Sequence, residues 1–177
     1  MNVSVSWDAD VAVEEMYAAH YRRLVGLAVL LVRDKETAED VVQDSFVAMH
    51  GRWRRLREPD KALAYLRQSV VNRSRSVLRH RGVRARHTPP ARGDQRGDQR
   101  GDQRGADLDA LDAERRAHIL AALHELPHRQ REVLTLRYYL DLSEAAIADT
   151  LGISRGAVKS HASRGVSTLR SLLKDES

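Results

Sequence analysis

Apolar residues recur with a helical period along most of the chain, and alternating strand-like patterns are almost absent. The first predicted helix covers 13–32, and its apolar face is formed by Met16, Tyr17, Leu24, Leu27, Ala28 and Leu31. The pair Arg33-Asp34 interrupts it, and a second helix is predicted from about Asp34 to Trp53. Pro59 marks a loop and favours a helix start, so a third helix is predicted from about Lys61 to Arg81. The pattern predicts an all-α protein.

The helical period is lost between residues 82 and 110, where Pro89-Pro90 is followed by three copies of Gly-Asp-Gln-Arg. Such a segment buries no apolar surface and cannot offset the entropy cost of ordering. We therefore predict two small helical domains, 13–81 and 111–174, joined by a flexible linker over 82–110. A flexible segment of this length spans roughly 30 Å on average and more when it is extended. The two domains are therefore expected to reach sites two turns of duplex apart.

The last third of the chain has the pattern of a helix-turn-helix. Ser143 and Ser154 can each cap a helix, and Gly152 lies between the two helices at the turn. The second helix would bury Val158, Ala162 and Leu169, and its opposite face carries donors for base edges and phosphates, namely Arg155, Lys159, Ser160, His161, Ser163 and Arg164. The plainer alternative is a helical hairpin with a solvated polar face. We interpret the segment as a reader of double-stranded DNA that ends the second domain.

The second predicted helix separates an apolar face from an acidic one. Ala38, Val41, Val42, Phe46 and Met49 would point inward, whereas Glu39, Asp40, Gln43 and Asp44 would point outward. DNA would repel this outer face, so it is expected to contact a positively charged protein surface. Stabilisation of the helix start by acidic residues explains Glu36, Glu39 and in part Asp40, but not Gln43 or Asp44.

Composition narrows the choice of function. The 177 residues include 30 Lys and Arg against 25 Asp and Glu, a net charge of +5 that favours a polyanionic partner. The chain has no cysteine, which excludes disulfides and thiol chemistry. No apolar run approaches the roughly 18 residues of a membrane helix, and residues 1–10 lack a leader pattern, so a cytoplasmic protein without a membrane segment is expected. With scattered histidines and no nucleotide-loop, nucleophile or zinc motif, we expect no enzyme, catalytic residue, metal or cofactor.

Five ordered segments carry a family resemblance: AEDVVQDSF, AYLRQSVVNRSRSVLRHR, the linker, LPHRQREVLTLRYYLDLS and ISRGAVKSHASRG. Together they resemble the extracytoplasmic-function sigma factors of the sigma-70 family, with the SigE-like actinobacterial subgroup nearest in character. The resemblance runs from about Val13 to Leu173 and leaves only the ends and the linker without a counterpart. It implies a bacterial protein that binds core RNA polymerase and directs promoter recognition, strand opening and transcription initiation.

The resemblance also implies roles for residues. Glu39, Asp40, Gln43 and Asp44 match the surface for the beta-prime clamp helices, and the second domain is expected to meet the beta flap. Residues implied at the -10 element are Arg54, Arg55, Tyr65, Arg67, Asn72, Arg73, Arg75 and Arg79, with the loop from Trp53 to Tyr65 receiving a flipped base. The outward face of the last helix falls on the -35 element. An anti-sigma factor is a further implied partner.

Two features depart from the family pattern. His161 stands where many relatives carry arginine, and Ala162 and Gly165 are smaller than usual, so the -35 base preference does not transfer.

Two other classes of protein remain as alternatives. A helix-turn-helix regulator that binds an operator without polymerase would use the same last helix. A response regulator would need alternating strands and helices in the first 110 residues, which the pattern lacks.

Overall fold

The computed structural model describes residues 9–56, 58–87 and 106–174, and every regular element in these ranges is helical. The elements are α1 (Ala9–Val32), α2 (Lys35–His50), α3 (Trp53–Leu56), α4 (Pro59–His87), α5 (Ala106–Glu125), α6 (His128–Leu134), a π-helical turn (Thr135–Tyr139), α7 (Glu144–Leu151) and α8 (Arg155–Lys174). The expectation of an all-α protein is confirmed for the described ranges. The Gly-Asp-Gln-Arg repeats lie outside them.

Helices α1 to α4 form the first lobe, in which α1, α2 and α4 pack against one another. Their shared core is apolar and contains Leu24, Leu27, Val42, Met49, Leu66 and Val70. The predicted break between the first two helices is confirmed, because Arg33 adopts φ 74° and Asp34 caps α2 by accepting a hydrogen bond from the Thr37 amide at 3.0 Å. This cap fixes the start of the acidic helix.

Several boundaries differ from those that periodicity predicted. Helix α1 begins at Ala9, before the predicted start at residue 13, and α4 begins at Pro59. Helix α2 ends at His50, and Trp53 begins the short helix α3 instead of ending α2. Helix α4 continues past Arg81 to His87, and α5 begins at Ala106. Residues 82–87 lack an apolar stripe but contain no proline before Pro89, so nothing in the backbone stops the helix.

Helices α5 to α8 form the second lobe. The predicted turn signals are confirmed: Ser143 accepts a hydrogen bond from the Ala146 amide at 3.2 Å, and Ser154 accepts one from the Ala157 amide at 3.1 Å. Gly152 adopts the left-handed conformation between α7 and α8, with φ 64°. Gly165 is buried, and a β-carbon at this position would lie 3.0 Å from Leu134 Cδ1. Its small size therefore lets α8 lie close to α6.

The two lobes pack directly against each other, which the sequence pattern of two tethered units did not predict. Helix α1 contacts the π-helical turn, and α4 contacts α7. The buried apolar residues of both lobes form one continuous core. Side-chain packing therefore contributes to the arrangement of the two lobes.

Candidate nucleic-acid interface

The acidic helix α2 presents the face that its sequence predicted. The five inward residues Ala38, Val41, Val42, Phe46 and Met49 are all buried. On the opposite side Asp40, Gln43 and Asp44 are exposed, and Glu39 is half-buried. Val47 continues this face and is 72% exposed. We call Asp40, Gln43, Asp44 and Val47 the α2 face.

A cleft of about 330 Å³ lies along α4, next to the start of α3. It is lined by Arg52, Tyr65, Gln68, Ser69, Asn72, Arg73 and Ser76, and we call this set the α4 cleft. The Arg52 guanidinium carbon lies 5.5 Å from the centroid of the Tyr65 ring, a cation–π arrangement. The structure therefore brings together three residues that were assigned to the -10 element: Tyr65, Asn72 and Arg73.

Sequence reasoning missed Arg52, Gln68, Ser69 and Ser76 in this cleft. The signal that would have found the last three is helical spacing, since residues three, four, seven and eleven positions after Tyr65 lie on the same side of α4. Arg52 carries no such signal because it precedes the short α3.

Other residues assigned to the -10 element lie elsewhere. Arg67 is half-buried, and burial and then the nearby Arg23 lower its pKa. Arg75 points toward the second lobe and pairs with Glu132. Arg79 is exposed and donates a hydrogen bond to Ser76 Oγ at 3.2 Å.

The remaining residues assigned to the -10 element or to the flipped base lie in α3: Trp53, Arg54 and Arg55. Arg55 is exposed and does not line the α4 cleft. The side chain of Arg54 lies outside the described part of the structure. Trp53, expected to be available beside a flipped base, is only 4% exposed and belongs to the hydrophobic core. That expectation was wrong, because burial of the indole leaves no ring face for a base.

The α2 face and the α4 cleft adjoin. Arg73 Nη1, in the cleft, lies 3.4 Å from Asp44 Oδ2, on the face. Both side chains are substantially exposed, so this pair contributes little to stability. Its importance is positional, since it puts an acidic surface and a basic cleft side by side on one lobe.

The outer face of α8 is basic and accessible. Arg155, Lys159, Ser163 and Arg164 are exposed, whereas Ser160 and His161 are half-buried. The Arg164 guanidinium donates to Ser160 Oγ at 3.2 Å. The face that was expected to enter a major groove is thus solvent-accessible along its length.

A second cleft, of about 440 Å³, joins α8 to the π-helical turn. Besides Lys159 and Ser163 it is lined by Arg137, Tyr138 and Arg170, which sequence reasoning did not single out. Glu144 lies between two of these cations, 3.5 Å from Arg137 and 3.8 Å from Lys159. The basic face therefore extends beyond α8 onto the turn that precedes the helix-turn-helix.

None of the described helices has an apolar stretch that is long enough to cross a membrane. Among the described residues there is also no cluster of three or more His, Cys, Asp or Glu side chains suited to a metal ion.

Comparison with protein families matches both lobes. Residues 16–84 match the model for sigma-70 region 2, and residues 116–169 match that for sigma-70 region 4. The chain is 31% identical to the RNA polymerase sigma factor CarQ of Myxococcus xanthus over 165 residues, covering 93% of this chain and 91% of the relative. It is 30% identical to the RNA polymerase sigma-E factor of Streptomyces avermitilis, covering 91% and 84%.

Solved structures have the same fold. The sigma factor RpoE of Bartonella quintana, in complex with the anti-sigma factor NepR, superposes with a TM-score of 0.72 at 23% identity and covers 91% of this chain and 96% of its own. CnrH in complex with the cytosolic domain of CnrY gives 0.68 at 24% identity, covering 97% and 93%.

The chain belongs to the sigma-70 family, within its extracytoplasmic-function group. It is an RNA polymerase sigma factor, as the ordered motifs predicted. The operator-binding regulator and the response regulator are not supported, because a helix-turn-helix alone would not account for the match over the first lobe.

Proposed function

We propose that the three surfaces divide the work of promoter recognition. The α2 face binds core RNA polymerase, the α4 cleft holds the opened -10 strand, and α8 reads the -35 element. The observation that carries this proposal is the adjacency of the α2 face and the α4 cleft, joined at Asp44 and Arg73. A protein whose task is to hold an opened strand against polymerase needs both kinds of surface on one lobe. The polymerase supplies the chemistry, and the site of action is the cytoplasm.

The α2 face suits the beta-prime clamp helices in charge and in polarity. Asp40 and Asp44 steer it toward a basic partner and away from DNA, and Gln43 adds a neutral hydrogen-bonding group between them. Glu39 lies at the edge of the face. Val47, 72% exposed, supplies the apolar anchor that protein interfaces usually place among polar contacts.

The α4 cleft suits a single DNA strand. Taking a base out of the stack costs a few kcal/mol, which a protein offsets by stacking and by neutralising phosphates. The Tyr65 ring, with Arg52 over it at 5.5 Å, offers a stacking surface, and the exposed Asn72 amide has both a donor and an acceptor for a base edge. Arg73 provides positive charge at the cleft wall, while Arg55, Arg67 and Arg79 supply the surrounding positive field. We also assign Arg54 to the -10 element, on the family resemblance alone.

Helix α8 suits a major groove. Arg155, Lys159, Ser163 and Arg164 are exposed along it, and Ser160 and His161 lie at its margin. Arg137 and Arg170 flank this face in the second cleft and can contact phosphates on either side of the groove. The second lobe also contacts the beta flap.

An anti-sigma factor is the remaining proposed partner. Both solved relatives are complexes, one with the anti-sigma factor NepR and one with the cytosolic domain of CnrY. By analogy, a protein of this kind would hold the present chain inactive by covering the surfaces described above.

Run-off transcription with purified core polymerase on a genomic fragment library tests the proposal. Transcripts with defined start sites are expected only when the chain is added, and upstream sequences should share two elements. A Lys159→Ala variant should lose transcripts without losing core binding, since Lys159 lies in the second lobe, away from the α2 face. A chain that binds the fragments but yields no transcripts with core enzyme would refute the proposal and favour the operator-binding regulator.

A further inference from the structure

A carboxylate from the neighbouring helix reaches the basic face of α8. Helix α8 itself, from Arg155 to Lys174, carries no acidic residue. Glu144, the first residue of α7, lies between two cations: its Oε1 is 3.5 Å from Arg137 Nη1, and its Oε2 is 3.8 Å from Lys159 Nζ. The Glu144 side chain is only 25% exposed, so it forms part of the wall of this basic surface.

Local structure fixes the place of this carboxylate. Ser143 caps α7 by accepting a hydrogen bond from the Ala146 amide at 3.2 Å, which holds the first turn of the helix. The Leu142 amide donates to the Leu136 carbonyl at 3.1 Å and thereby ties the start of α7 to the π-helical turn. Glu144 is therefore held by its backbone at the junction of the π-helical turn, α7 and α8.

The geometry leaves both cations able to bind a phosphate. A charge-assisted hydrogen bond between nitrogen and oxygen usually measures about 2.7 to 2.9 Å, and both contacts of Glu144 are longer than this. The side chains of Arg137 and Lys159 are 39% and 69% exposed. Glu144 thus attracts both charged groups without engaging them in short hydrogen bonds, and it leaves them accessible to DNA.

Stability does not explain this arrangement. Ion pairs between partly exposed side chains contribute little to folding. A negative charge beside Arg137 and Lys159 also weakens their attraction for every DNA phosphate. This cost falls mainly on binding to arbitrary sequences, because nonspecific complexes depend almost entirely on phosphate attraction, whereas a specific complex also uses base contacts.

A specific complex gains from the same carboxylate. Arginine and lysine side chains have many rotamers, and a complex with fixed phosphate contacts must select one for each. Because Glu144 attracts both charged groups toward one place, part of this ordering precedes binding. The gain applies only where both side chains meet phosphates at a fixed spacing, as when α8 is seated in its own element.

We propose that Glu144 is a positioning residue that sets the sequence specificity of the second lobe. It weakens nonspecific phosphate attraction, and it orders Arg137 and Lys159 for the backbone of the -35 element. The inference rests on the proposed function, in which α8 reads that element. Removal of the acidic group should therefore make the chain bind arbitrary DNA more tightly and discriminate less between sequences.

Duplex binding by the full chain without polymerase tests this inference. One probe is a fluorescein-labelled duplex of scrambled sequence, and the other is a duplex of equal length that the parent chain selects from a random-sequence library. Glu144→Gln removes the charge and keeps the shape of the side chain. Asp149→Asn is the matched control, because it makes the same change of charge at an exposed position of the same helix. Circular dichroism checks that both variants are folded.

For the scrambled duplex, Glu144→Gln should raise the affinity at least about threefold and steepen the slope of log binding constant against log salt concentration by up to about one counterion. The affinity for the selected duplex should stay the same or fall, so the ratio of selected to scrambled binding should drop at least about threefold. Asp149→Asn should leave this ratio unchanged. In a chain with Arg137→Ala and Lys159→Ala, adding Glu144→Gln should no longer change the ratio, because the partners of Glu144 are gone.

Three results would overturn the inference. Equal gains in scrambled-duplex affinity for Glu144→Gln and Asp149→Asn would show that net charge alone acts. An unchanged ratio in Glu144→Gln would exclude a role in specificity, and an effect that persists without Arg137 and Lys159 would exclude the positioning role. A parent chain that selects no sequence would instead refute the proposed function of α8, so the two failures are distinguishable.

Discussion

Gly152 lies at the turn that sets the angle between α7 and α8, and its replacement by alanine has a cost that can be worked out from backbone geometry. Its φ of 64° and ψ of 40° are left-handed, and its amide hydrogen-bonds to the Ala148 carbonyl. A β-carbon there would meet nothing within 4 Å, so no steric clash contributes. The whole penalty is conformational.

That conformation costs an L-residue about 1 to 2 kcal/mol. Alanine also restricts the unfolded chain, which returns about 0.4 to 1 kcal/mol. The net loss expected for Gly152→Ala is about 1 kcal/mol, which corresponds to a fall in Tm of about 2 to 4 °C for a chain of this size. Gly152→Asn should lose less, because asparagine tolerates this region better.

Urea and thermal unfolding followed by circular dichroism measure the effect, with -35 duplex binding as the functional readout. Gly82→Ala is the control of opposite sign: it is helical and unobstructed, so alanine should stabilise the chain by up to about 1 kcal/mol. Equal stability of Gly152→Ala and the parent, or a change of the same sign at both glycines, would show that the left-handed turn is not what costs energy.

Three further outcomes follow from the surfaces and the buried groups. Asp40→Arg on the α2 face should weaken core-polymerase binding at least tenfold, because it places a positive charge opposite a basic partner. A pull-down or a fluorescence titration measures this affinity. Glu14→Arg, on the exposed side of α1, is the control and should leave the affinity unchanged. Lys159→Ala should lower the slope of log binding constant against log salt concentration for duplex DNA by about one counterion, whereas Lys174→Ala should leave that slope unchanged. Equal slopes for the parent and both variants would exclude Lys159 from phosphate contact. Burial, and then Arg131 and Arg33, lower the pKa of His124, so the unfolded chain takes up a proton near pH 6.5 that the folded chain does not. Stability should therefore fall as the pH drops below about 6.5, and His124→Gln should flatten the curve; an unchanged curve would contradict this.

Much of the fold could be predicted from local signals in the sequence. Helical period, the break at Arg33-Asp34, the Ser143 and Ser154 caps and the glycine at 152 each act over a few residues, and each was found where it was expected. The cap that Asp34 supplies to α2 was not predicted. The separation of α2 into buried and exposed faces was equally readable, since a helix fixes which side chains share a side. Helix α4 was predicted too short because its last residues lack the apolar stripe on which the prediction relied. Helix propensity alone sustains these residues.

The candidate nucleic-acid-binding surfaces could be predicted from the sequence only in part. Helical spacing was enough for the outer face of α8, but the clefts take residues from separate elements: Arg52 joins α4, and Arg137 joins α8. Burial also reassigned residues, since Trp53 entered the core and Arg75 turned to Glu132. No local pattern contains these pairings, which depend on distant parts of the chain.

By itself, then, the amino-acid order determined the helices, their caps, the polarity of each face and membership of a sigma-factor family, because all of these arise from interactions within a few turns or from ordered motifs. Only the tertiary structure decided how the two lobes meet. Arg75 and Glu132 are 57 positions apart, and Arg131 and Leu31 are 100 apart. Such contacts form when apolar surfaces exclude water and leave buried charges that must find partners, and that requirement acts in space rather than along the sequence.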